Sequence, residues 1–173
     1  MPSELANTVE ALKHVDVISP NHVEIAALYD VSVVNATGEL AADAIQTCAQ
    51  RLLASADGSN QRLHVVVRCG RDGCYISERT PGREWWIPAY HASSQQKVID
   101  PTGGGNGFLG GFAVGLVRTQ NVVKATIWGS VSASLCIEVV GVPVMGKDQD
   151  GHETWNGVDV TERLEEFSDH CGG

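Results

Sequence analysis

Apolar and polar positions along this chain switch between helical and extended periods several times. Residues 5–13 carry an amphipathic helical pattern, and Asp16-Val17-Ile18 reads as a short strand. Ser19 then reads as a cap with Pro20 at the first helical position, and residues 22–28 continue as helix. The spacing over residues 38–56 predicts a long alanine-rich helix, with Leu40, Ala44, Cys48 and Leu52 on one face and a break at Asp57-Gly58-Ser59-Asn60. Residues 63–69 form a β-branched run that predicts a buried central strand. Gly70-Arg71-Asp72-Gly73 turns it into a second strand, residues 74–77. After Thr80-Pro81-Gly82-Arg83, residues 84–90 read as an outer strand, 91–96 as polar loop and 97–99 as a short strand. Helices are predicted over 107–118 and 122–139. Beyond Gly141 the pattern turns polar, with an exposed loop at 147–151. Asp159-Val160-Thr161-Glu162 has capping-box spacing before a last helix at 163–167.

This order predicts an α/β protein with a mixed sheet sandwiched by helices. In such sheets ligands sit beyond the carboxyl ends of the strands, so the turns at Ser19-Pro20-Asn21, Cys69-Gly70 and Asp100 are expected to converge. At 173 residues one domain with a real core is expected. With 12 basic and 21 acidic residues the net charge is −9, which argues against binding a nucleic acid backbone but not against a nucleotide held by local amides. The start of the chain lacks the pattern of a secretory leader, and the longest apolar run, 108–117, is too short for a membrane span and contains three glycines. Five cysteines without a paired CxxC spacing are expected to be reduced and mostly buried in a cytoplasmic protein.

The candidate chemistry centres on Asp100-Pro101-Thr102-Gly103-Gly104-Gly105-Asn106-Gly107, which runs directly into an apolar helix. Consecutive glycines let backbone N–H groups turn toward one point, where the helix adds the positive end of its dipole. Three glycines in a row exceed what packing alone requires and favour an anion hole. The loop lacks the Gly-Lys-Ser/Thr ending of a P-loop. Gly105 to Gly110 matches GxGxxG formally, yet no acidic partner stands about 20 residues on, as dinucleotide binding needs. Asn106 occupies the place where a phosphate-transferring site would want an ionisable base. Asn21-His22-Val23-Glu24 reads as a capped helix start, or as a carboxylate that holds magnesium through water. The glycines of Gly70-Arg71-Asp72-Gly73 form a turn or a close approach to a nucleotide. His14, His22, His64, His91 and His152 show no ligand spacing, and Trp85, Trp86 and Trp155 read as packing anchors.

The segment from Asp100 to Phe112 resembles the second signature of the pfkB/ribokinase family of carbohydrate kinases, typically Asp-Thr-x-Gly-Ala-Gly-Asp-x-Phe followed by a Gly-Gly-containing helix. Two further segments match in order: Asn21 to Glu24 resembles the family's Asn-x-x-Glu, and residues 65–73 resemble its strand-Gly-x-x-Gly turn. The resemblance covers residues 15–141 and corresponds to the C-terminal half of a typical member, with 142–173 as an extension within one partial domain, 1–173. It implies a partial ribokinase-like three-layer α/β/α sandwich, and transfer of the ATP γ-phosphate to an alcohol of a sugar or related molecule, with magnesium. Gly103, Gly104 and Gly105 would form the anion hole, Asn21 and Glu24 would organise magnesium, Gly70 and Gly73 would border ATP, and Asp100 and Thr102 resemble positions for a monovalent cation such as K+.

Two departures bear on function. Where the family has the base that deprotonates the acceptor hydroxyl, this chain has Asn106, and an amide cannot take that proton. The family's N-terminal half supplies sugar-binding residues and a lid without a counterpart here, so the chain is expected to be either a truncated gene product or a stand-alone half that pairs with a partner chain, its exposed sheet edges favouring an oligomer or poor solubility. Three readings follow: a pfkB-type kinase-like protein with slow transfer, a nucleotide-binding pseudokinase-like scaffold, and a dinucleotide module disfavoured by its missing acidic partner.

Overall fold

The computed structural model describes residues 2–56, 58, 60–80 and 82–172. It comprises two compact units, the first running through Trp86 and the second beginning at Ile87. Asp57, Ser59 and Pro81, which the sequence places in breaker turns, lie outside the described residues.

The first unit contains α1 (Pro2–Ala11), β1 (Val17–Ile18), α2 (His22–Tyr29), α3 (Ala42–Ser55), β2 (His64–Arg68), β3 (Cys74–Glu78) and β4 (Glu84–Ile87). The sheet order is β1-β2-β3-β4. β1 runs parallel to β2, with Val17 opposite His64, and β2 runs antiparallel to β3, with Val66 opposite Ile76. Val65, Val66 and Val67 are fully buried, as expected for a central strand. Each contributes about 1.5–3 kcal/mol of burial free energy. Ile45, Cys48, Ala49, Leu52 and Leu53 supply the buried face of α3. Trp86 packs on this core, its ring 5.2 Å from that of Tyr75.

Several local expectations need correction. α3 starts at Ala42 and not at 38, because Asn35 folds the preceding chain into a small hairpin. Its Oδ1 accepts from Thr37 and Glu39 N–H, Gly38 takes φ +81°, and Val34 bridges Leu40. Leu40 therefore precedes the helix. Asn21, not Ser19, caps α2, because its side chain reaches the first-turn N–H groups. The outer strand stops at Ile87 and leaves 88–90 outside it.

The second unit contains α4 (Gly104–Thr119), α5 (Val122–Ile137), β5 (Met145–Lys147), β6 (Glu153–Trp155), β7 (Val158–Asp159) and α6 (Val160–His170). Residues 97–99 are not a strand. A 3-10 turn occupies Gln95–Lys97, and the N–H groups of Ile99 and Asp100 both donate to the Ile137 carbonyl at the end of α5, at 2.8 and 3.1 Å. The expected loop at 147–151 is the tip of a hairpin in a three-stranded antiparallel sheet, β5-β6-β7. Asp159 caps α6 as its spacing predicts, accepting from Thr161 and Glu162 N–H.

α4 and α5 meet along a seam of small residues. A Cβ on Gly107 would stand 2.6 Å from Cys136 Sγ, one on Gly111 2.5 Å from Ser132 Cβ, and one on Gly115 2.7 Å from Trp128 Cβ. Across the seam Gly129 admits the Phe108 ring, which would lie 2.9 Å from a Cβ there. Packing therefore accounts for more of the glycines than the sequence suggests.

The five cysteines are unpaired, with Cys48, Cys69 and Cys74 buried. Burial pushes the thiols of Cys69 and Cys74 up to about 12 from an ordinary 9.0. In the unfolded chain these thiols lose their protons from about pH 9, whereas the folded chain keeps them, so stability falls as pH rises from 9 toward 12. The urea midpoint is expected to drop between pH 8 and pH 10.5, and Cys74→Ala should flatten that drop. An identical pH slope in the variant would count against this assignment.

Candidate functional site

In the first unit, the Asn21–Glu24 and Gly70–Gly73 segments both follow strands of one parallel pair. Asn21 is extended at φ −81°, ψ 169°, and its Oδ1 accepts from Val23 N–H at 2.9 Å and Glu24 N–H at 2.8 Å. Glu24 Oε2 accepts from Asn21 N–H at 2.7 Å, which closes a capping box. The two segments are linked through Arg68, whose backbone bridges Asn21. Arg68 N–H donates to the Pro20 carbonyl at 2.9 Å, and its Nε and Nη2 donate to the Ser19 carbonyl at 3.2 and 3.1 Å. Its Nη2 lies 3.6 Å from Glu24 Oε2. Sequence reasoning missed Arg68, though a cation closing the run Val65-Val66-Val67 was a signal. Beyond it, Gly70 at φ +59° and Gly73 at φ +89° hold a 3-10 turn that a β-branched residue would strain, closed by Cys69 N–H on the Gly73 carbonyl at 2.7 Å.

In the second unit, Asp100 Oδ1 accepts from Thr102 N–H at 2.9 Å. The Thr102 hydroxyl and N–H hold the Asp100 carboxyl below the ordinary carboxylate range. Gly103 caps α4 in the left-handed region at φ +83°, without a side-chain cap. Gly104 N–H donates to the Pro101 carbonyl at 3.3 Å, and Gly107 N–H to the Gly103 carbonyl at 2.8 Å. The N–H groups of Gly105 and Asn106, in the first helical turn, make no backbone hydrogen bond among the described residues. These donors, with the helix dipole, fit an anion. Gly104 also serves packing, because a Cβ there would stand 2.7 Å from Ile137 Cγ2. Asn106 is exposed on the same first turn.

Behind this loop lies a charged network absent from the sequence reading. Buried His91 meets Glu138 Oε1 at 2.7 Å and Ser94 Oγ at 3.0 Å, and Arg163 Nη1 donates to the same Glu138 oxygen at 2.8 Å and to Ser134 Oγ at 3.0 Å. His91 thus lies in the loop that the sequence predicts, but its side chain is buried in the interior. Elsewhere in this unit Asp148, His152 and Asp159 present ligand-type atoms within 4.8 Å of one another at the surface, a grouping that residue spacing did not reveal.

The sheet of the first unit and the glycine-capped helix pair of the second have the ribokinase-like α/β fold. Phosphofructokinase-2 from Escherichia coli, solved in complex with potassium, matches all of this chain and 46% of its own at a TM-score of 0.65 and 14% identity. Ribokinase from Arabidopsis thaliana, solved with ribose and ATP, matches 78% of this chain and 38% of its own, at a TM-score of 0.56 and 24% identity. The chain belongs to the pfkB family of carbohydrate kinases, whose family model matches residues 2–145. Protein MAK32 from Saccharomyces cerevisiae is 34% identical over 159 residues, which cover 90% of this chain and 41% of that protein. The chain thus spans less than half the length of this relative. Among the described residues no helix is long and apolar enough to cross a membrane.

Proposed function

We propose that residues 1–173 are one partial pfkB carbohydrate kinase-like domain, with its family core at 15–141 and an extension at 142–173, that binds a nucleotide and transfers phosphate slowly to a hydroxyl of a sugar-like molecule. The observation that carries this reading is the first turn of α4, where the Gly103 cap leaves the N–H groups of Gly105 and Asn106 available to an anion. Gly103, Gly104 and Gly105 form the anion hole for the phosphoryl group, with Gly104 contributing once its turn to Pro101 relaxes. Gly70 and Gly73 let backbone approach ATP. Asp100 and Thr102 take a monovalent cation, which the Asp100 charge state favours. Magnesium, when bound, offsets phosphate charge. Asn21 and Glu24 would organise it through water, and Glu24 Oε1 accepts no hydrogen bond among the described residues, whereas Asn21 Oδ1 and Glu24 Oε2 already accept backbone hydrogen bonds. The five unpaired thiols support a reducing, cytoplasmic compartment.

Asn106 favours a second reading, a nucleotide-binding scaffold without turnover that docks on a partner chain. Both readings expect saturable binding of ATP and ADP in a calorimetric titration with magnesium. Heats indistinguishable from dilution, in a sample shown to be folded, would sink both. Tight NAD binding without ATP binding would revive the dinucleotide module.

A further inference from the structure

Arg68 follows the fully buried Val65, Val66 and Val67 with a permanent charge, and its side chain is only 17% exposed. The guanidinium is not loose. Nε and Nη2 are fixed on the Ser19 carbonyl and Nη2 lies 3.6 Å from Glu24 Oε2, while Nη1 donates to no acceptor among the described residues. Its neighbours on the following turn do not compete for it, since Asp72 faces Arg71, 4.0 Å away. The carboxylate assigned to magnesium therefore stands beside a built-in cation, and that cation keeps a free donor.

We propose that Arg68 acts as a resident counter-charge to Glu24, so that nucleotide phosphates bind this chain with little dependence on magnesium. The proposal rests on the nucleotide-binding reading above. A guanidinium beside Glu24 offsets part of the field that would draw a divalent cation, and its free N–H suits a phosphate oxygen in charge. Arg68 is here a positioning and charge-setting residue, not a catalytic one.

The test is ADP titration of the full chain by calorimetry, with saturating magnesium and with chelator, on native protein and three variants. Magnesium is expected to tighten ADP binding by less than about threefold in the native chain and by about tenfold or more in Arg68→Met, the order set by removing one partly screened unit charge. Arg68→Lys keeps the charge and should keep the native ratio, which a purely structural role for the fork on Ser19 does not predict. Glu24→Gln still closes the capping box and frees the guanidinium, so metal-free ADP should bind about threefold tighter. This variant decides the matter if Arg68→Met does not fold. A tenfold magnesium effect in the native chain, an unchanged ratio in Arg68→Met, or weaker metal-free binding in Glu24→Gln overturns the proposal while leaving the nucleotide reading intact. No ADP binding by the native chain under either condition overturns the nucleotide reading itself.

Discussion

Asn106→Asp is expected to raise phosphoryl transfer by about 10²–10⁴-fold, the usual contribution of a positioned general base. That range corresponds to about 2.7–5.4 kcal/mol of transition-state stabilisation. The substitution exchanges an amide for a carboxylate of nearly the same shape, so what changes is the ability to accept a proton. The fold should tolerate it, because residue 106 is exposed in the first turn of α4, where an acidic side chain complements the helix dipole. ADP release from ATP is the measurement, with water and with a panel of sugars and polyols as acceptors. A variant that binds ADP like the native chain yet shows no added turnover would remove the missing-base explanation and favour the scaffold reading.

Gly111→Ala should lower stability by about 2–3 kcal/mol, although alanine is the better helix former. The added methyl would stand 2.5 Å from Ser132 Cβ and 2.7 Å from the Trp128 carbonyl oxygen, and a helix carbonyl cannot turn aside as a flexible side chain can. For a chain of this size the thermal midpoint should fall by about 5–10 °C. Gly110 supplies the control. It is the preceding residue of the same helix, but a Cβ there meets nothing within 4 Å. Gly110→Ala should therefore raise stability by about 0.5–1 kcal/mol through reduced unfolded-state entropy. If the two substitutions change the midpoint alike, the seam between α4 and α5 is not what holds these helices together.

The adjacent glycines show where sequence reading succeeds and where it stops. Asn21 and Glu24 were legible as a capped helix start because their partners lie within three residues, and the same holds for Asp159. The run through Val65–Val67 declared its own burial by composition. Asp100 through Asn106 announced a glycine turn before a helix, and Gly103 adopts the left-handed conformation that such a turn needs. By contrast, nothing near Gly107, Gly111 or Gly115 says that Cys136, Ser132 and Trp128 will face them. The strands β5 to β7 are two or three residues long and carry too little alternation to be read.

The amino-acid sequence by itself determined the strand through Val65–Val67, most of the helices, the Asp159 cap and the glycine turn, since each depends on residues within about four positions and on backbone preference. Only the tertiary structure decided which glycines serve packing, that Ile137 replaces a strand partner for Ile99 and Asp100, and that Arg68 stands beside Glu24. Those contacts join residues more than ten positions apart. They exist only once the chain has folded back on itself, which no local pattern encodes.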